Sequence, residues 1–107
     1  MLEVAKCDSF TEDLLTNILC KCYEISTQTK VDVFFDYAPH TSEIMIRIYP
    51  NGWSAEADCE YIRHKGTNSI YFDNEDGTER LEYALEQLAK LYDQYKCEMK
   101  LSGEVET

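Results

Sequence analysis

Positive charge is scarce in this chain. Ten lysines and arginines stand against 21 aspartates and glutamates, a formal net charge of −11. A small compact protein charged this way repels nucleic acid and anionic lipid, so direct binding to either is not expected. No run approaches the ~18 consecutive apolar residues of a membrane-spanning helix. The first twenty residues carry Glu3, Asp8, Glu12 and Asp13 and lack the apolar centre of a secretory signal. Catalytic signatures are missing as well: there is no P-loop, no G-x-G-x-x-G, no G-x-S-x-G and no H-E-x-x-H. Paired carboxylates are abundant only because carboxylates are abundant, and a non-enzymatic protein is expected. The absence of C-x-x-C excludes a zinc ribbon or a thioredoxin-type motif. Five cysteines, an odd number without a signal segment, point to a reducing compartment rather than a disulfide framework.

What is present is enough for one packed domain. The 107 residues are 44% hydrophobic and include eight tyrosines and four phenylalanines, too aromatic for a disordered acidic tail. Ser9-Phe10-Thr11-Glu12 fits a capping box. Leu14, Leu15, Ile18, Leu19, Cys22 and Ile25 follow at helical spacing, which predicts an amphipathic helix over 9–26. Residues 30–73 read as an antiparallel sheet. Val31, Val33, Phe35 and Tyr37 alternate with Asp32, Phe34 and Asp36 in a first strand. After a turn at 38–42, Ile44, Ile46 and Ile48 alternate with Met45, Arg47 and Tyr49 in a second. Pro50-Asn51-Gly52 ends it, and Trp53 is expected to cover an end of the core. Residues 59–64 and 69–72 flank Lys65-Gly66 and read as a second hairpin. Asp76 with Glu79 starts a second helix over 76–99, followed by a frayed tail at 102–107. The predicted fold class is α+β: a four-stranded meander, three-stranded if 59–64 is only a loop, with both helices packed on one face.

The acids are concentrated. Glu56, Asp58, Glu60, Asp73, Glu75, Asp76, Glu79, Glu82 and Glu86 face only Arg63, Lys65 and Arg80 in that third of the chain. Charge runs are often only a solvated face. Glu79, Glu82 and Glu86, however, line up along one side of a helix, where like charges cost some stability. Carboxylates ~5–6 Å apart on a helix resemble a phosphate row, which suits a basic surface built to grip nucleic acid. Trp53, Tyr61, Tyr71 and Tyr83 lie near this stretch; core packing accounts for such residues too, and Trp53 and Tyr83 are the better contact candidates.

Cys7, His40, His64 and Cys97 form a candidate structural zinc set. In a simple four-stranded meander the second helix runs antiparallel to the first, bringing Cys97 towards Cys7 at the end holding both histidine turns. With three strands that helix reverses, and Cys97 approaches Cys20 and Cys59 instead. Scattered thiols and two turn histidines are the plain alternative.

The segment from Val31 to His40, followed by Glu43 through Asn51-Gly52-Trp53, resembles the strand–turn–strand of small acidic proteins from bacterial phages. Length, acidity and helix–sheet–helix order over residues 9–97 are similar to type II-A anti-CRISPR proteins. That resemblance implies an inhibitor acting in the cytoplasm of the host bacterium on a basic surface of Cas9, at the arginine-reading PAM site or on a recognition lobe. It also implies interest in a bound metal ion. It carries no functional residue by motif. A phage accessory or structural interaction module without Cas9 activity is the other expectation.

Overall fold

A computed structural model describes residues 9–73 and 75–106, and the side chains of 10–73 and 75–96. Helix α1 spans Ser9–Gln28 and strands β1 and β2 span Asp32–Ala38 and Glu43–Tyr49. Two short strands, β3 (Glu60–Tyr61) and β4 (Ser69–Tyr71), precede helix α2, Gly77–Glu106. The α+β class with an N-terminal and a C-terminal helix on an antiparallel sheet is as expected. The capping role expected of Ser9 falls on a side chain outside the described residues.

Helix α1 buries Leu14, Ile18, Cys22 and Ile25, which follow one face at helical spacing. Leu19, expected on the same stripe, is 52% exposed because it sits on the flank of that face. The chain leaves α1 through buried Thr29. Its hydroxyl donates to the Ile25 carbonyl at 2.8 Å and accepts from the Val31 amide at 3.0 Å. One side chain thus takes a helix-terminal acceptor and the first donor of the extended segment, setting the entry into β1.

β1 and β2 pair antiparallel from Asp32 opposite Tyr49 to Ala38 opposite Glu43. Alternation in β2 buries Ile44, Ile46 and Ile48 beneath both helices. Val31, Ile62, Ile70, Leu81, Ala84 and Leu88 complete that core among the described residues.

The third row of the sheet differs from a separate hairpin. Both arms pair with β2 rather than with each other. Tyr61 and Glu60 lie opposite Arg47 and Ile48, while Ser69, Ile70 and Tyr71 lie opposite Met45, Ile44 and Glu43. Between them the chain makes a single tight loop. His64 and Thr67 exchange backbone hydrogen bonds of 3.0 and 3.1 Å across Lys65 and Gly66, both at positive φ. The free acceptors and donors along β2 outcompete further pairing within the loop, so β3 and β4 form one interrupted edge strand.

With effectively three strand rows, α2 starts at the end of the sheet near the β1–β2 turn and runs parallel to α1. Tyr92 donates to the side-chain carbonyl of Gln28 at 2.7 Å, and Lys30 lies 5.5 Å from the Tyr95 ring. The C-terminal part of α2 is therefore at the end of the sheet where β1 begins. The helix also continues through 102–106, where a frayed tail was expected; Met99, Lys100 and Leu101 favour helix, and no proline stops it.

Candidate functional site

The start of α2 organises the largest group of acids. Asp76 immediately precedes the helix, and its carbonyl accepts the Arg80 amide at 3.1 Å. Its carboxylate pairs with the Arg80 guanidinium at 3.1 Å. Arg80 reaches back to the Tyr71 carbonyl at 3.3 Å, tying the first turn to β4. Asp73, Glu75, Glu79, Glu82 and Glu86 are exposed around and beyond this turn. Glu79 lies in the first turn, where a carboxylate suits the helix dipole. Glu86 approaches Lys90 at 3.8 Å, while Glu79 and Glu82 have no ion pair among the described residues. Exposed pairs of this kind contribute only ~0–1 kcal/mol and leave the local field acidic.

The other three acids stand apart. Glu60 is opposite Ile48, whereas Tyr71, beside Asp73, is opposite Glu43. Those positions lie five residue steps apart along β2, roughly 17 Å at strand spacing. Glu56, Asp58 and Glu60 are exposed at that distant end, so the nine acids form two groups rather than one strip. Between them lies a cleft of about 360 Å³ lined by Tyr61, Arg63, Tyr83, Gln87 and Lys90, which inserts two cations.

Tyr83 sits on the acidic side of α2, part exposed, with its ring 5.5 Å from His64 in an edge contact. The tight loop at Lys65-Gly66 thus packs on the helix through this pair. Trp53 does not cover the core. It is 55% exposed, because the loop after β2 is tied down by backbone: the Trp53 amide donates to the Asp32 carboxylate at 2.7 Å.

The proposed zinc set required antiparallel helices. Because α2 runs parallel to α1, position 97 lies at the end of the sheet opposite the β1–β2 turn that carries His40. His40 is exposed at that turn and His64 is engaged with Tyr83. Cys7 and the Cys97 side chain lie outside the described residues. Among the described residues no three His, Cys, Asp or Glu side chains gather as a metal site. Burial pushes the Cys22 thiol up to about 12, so it packs as a neutral side chain. Cys20 is exposed and Cys59 half-buried.

Two further groups are perturbed on the sheet. Hydrogen bonds from Ser69 and Thr41 hold the Glu43 carboxyl below the usual range, the Thr41 contact being 2.6 Å. A hydrogen bond with Cys59 raises the Tyr61 hydroxyl. Both lie on the side of the sheet away from the helices; the sequence marks Tyr61 as one of the aromatic residues near the acidic stretch but does not group it with Glu43 on this face. The signal was available in Met45, Arg47 and Tyr49, the residues alternating with the buried isoleucines of β2.

No protein-family model, no curated protein and no solved structure matches this chain. No helix among the described residues is long and apolar enough to cross a membrane.

Proposed function

We propose that this protein inhibits a basic nucleic-acid-processing protein of the host bacterium, with Cas9 as the target that the anti-CRISPR resemblance suggests. The contact surface is the acidic first half of α2, and the effect is to block DNA binding or loading in the host cytoplasm. The observation that carries this reading is the exposure of Asp73, Glu75, Glu79, Glu82 and Glu86 around one helix start, where the nearest base, Arg80, is already paired with Asp76. A phosphate-gripping Arg/Lys surface finds there a row of carboxylates with little internal neutralisation. Tyr83 supplies an aromatic contact within the row. Glu56, Asp58, Glu60 and Trp53, at the far end of the sheet, extend the contact only for a partner that reaches along the edge.

The test is DNA cleavage by several Cas9–guide complexes with increasing amounts of the protein. Dose-dependent loss of cleavage by at least one complex is expected, with DNA binding lost in parallel. Full cleavage by all of them at saturating protein would exclude Cas9 as the target. A second reading, a zinc-stabilised or metal-free phage accessory or structural module that binds another protein without affecting Cas9, is favoured by the aromatic face of the sheet away from the helices; metal analysis of the purified protein tests for the zinc.

A further inference from the structure

The helices cover one face of the sheet, the face of Ile44, Ile46 and Ile48. The alternating residues project from the other: Phe34 and Asp36 from β1, and Glu43, Met45 and Arg47 from β2. The interrupted edge strand widens this face, with Tyr61 opposite Arg47 and Tyr71 opposite Glu43. Phe34, Met45, Arg47 and Tyr61 are half-buried and Tyr71 is 39% exposed.

The centre of the face is already ordered. Arg47 lies over the Phe34 ring at 4.8 Å, pairs with Asp36 at 3.3 Å and donates to the Tyr49 hydroxyl at 3.5 Å. Tyr49, next to Arg47 on the same face, is buried, with its ring centroid 5.4 Å from that of Phe34 in an edge contact. A guanidinium and rings held this way lose little conformational freedom when a partner arrives. Tyr, Phe, Met and Arg are the residues that interface centres favour, and no lysine lies on the face among the described residues.

Charge selects the occupant. Asp32, Asp36 and Glu43 border the aromatic centre, and the only cation among the described residues of this face, Arg47, is paired with Asp36. A second copy would bring like rims together on chains that each carry −11. We infer that the uncovered sheet face, centred on Phe34, Met45, Arg47, Tyr61 and Tyr71, docks the apolar, Lys/Arg-rimmed patch of a partner protein. It lies across the sheet from the helices and is a separate surface from the acids of α2, so it does not rest on the reading of that row.

The probe is a fluorescently labelled peptide of alternating leucine and lysine, followed by anisotropy, beside a lysine–serine peptide of the same charge and a leucine–glutamate peptide. Saturable binding of the leucine–lysine peptide is expected, with the other two at least about tenfold weaker. M45S/Y71S leaves the net charge untouched and should weaken binding about tenfold, with circular dichroism confirming the fold. If that pair unfolds, Y71S alone serves, since Tyr71 is exposed. Equal binding of the lysine–serine peptide, undiminished binding by the folded variant, or a protein dimer that the variant dissolves would each overturn the assignment.

Discussion

The variant E79K/E82K/E86K should lose inhibition of DNA cleavage while keeping its helix. Each reversal shifts the charge by two units, so the formal net charge moves from −11 to −5. More important is where the change occurs. All three side chains are exposed on α2, and none belongs to the buried set of Leu81, Ala84 and Leu88. Against a basic partner, exposed pairs worth roughly 0.2–1 kcal/mol each turn from attraction to repulsion. Three such reversals amount to about 1–6 kcal/mol, a weakening of roughly tenfold or more. The cost to the helix is modest: the contact with Lys90 is lost, like charges are placed a turn apart, and a cation replaces the first-turn carboxylate of Glu79 against the helix dipole, a few tenths to about 1 kcal/mol each. The circular dichroism spectrum should therefore keep its helical form, with Tm lowered by a few degrees. Inhibition at wild-type strength from this folded variant would remove the α2 row from the contact surface.

The largest effect on stability is expected at Gly77. It is buried at the first position of α2, directly against the strand-to-helix connection. A methyl group there would strike the Phe72 carbonyl oxygen and come within 2.7 Å of the Phe72 carbonyl carbon and 3.0 Å of its Cα. Those atoms are backbone, and the Phe72 amide is held by the Ser42 carbonyl at 2.9 Å, so the obstacle cannot swing aside. G77A must push α2 off the sheet or distort the link, at a cost of about 3 kcal/mol. For a domain of this size that lowers Tm by roughly 12–24 °C. Gly66 provides the contrast. Its φ is +82, but a Cβ there would meet nothing within 4 Å, so G66A carries backbone strain without a collision and should cost less, about 1 kcal/mol. Melting curves of the two variants check the order. Equal stabilities would mean that α2 is not seated on Phe72 as described.

The same contrast between local and distant constraints explains which parts of the fold were legible in the sequence. α1 and the β1–β2 pair follow from periodicity over a few residues, and the isoleucines of β2 point to the core because strand alternation leaves no other choice. The Lys65-Gly66 turn was also legible. What its arms pair with was not, because the competing partner, β2, is some twenty residues away in the chain and offers an already ordered edge. That one pairing decides the direction of α2. The direction then separates position 97 from His40 and removes the geometric basis of the expected Cys7/His40/His64/Cys97 grouping. Leu19 and Trp53 failed for a simpler reason: hydrophobicity marks a side chain as able to be buried, not as buried. The acids around Asp76 kept their place because they lie on or beside one helix, whereas Glu56, Asp58 and Glu60 left the group when the edge strand broke in two.

The most direct test of electrostatic docking is the affinity of the protein for a Cas9–guide complex, measured across a salt series. Screening shortens the reach of exposed charges from ~10 Å at 0.1 M to ~3 Å at 1 M salt. If the acidic row of α2 meets a phosphate-gripping surface, affinity should fall steeply over that range. Affinity that stays constant from low to high salt would contradict it.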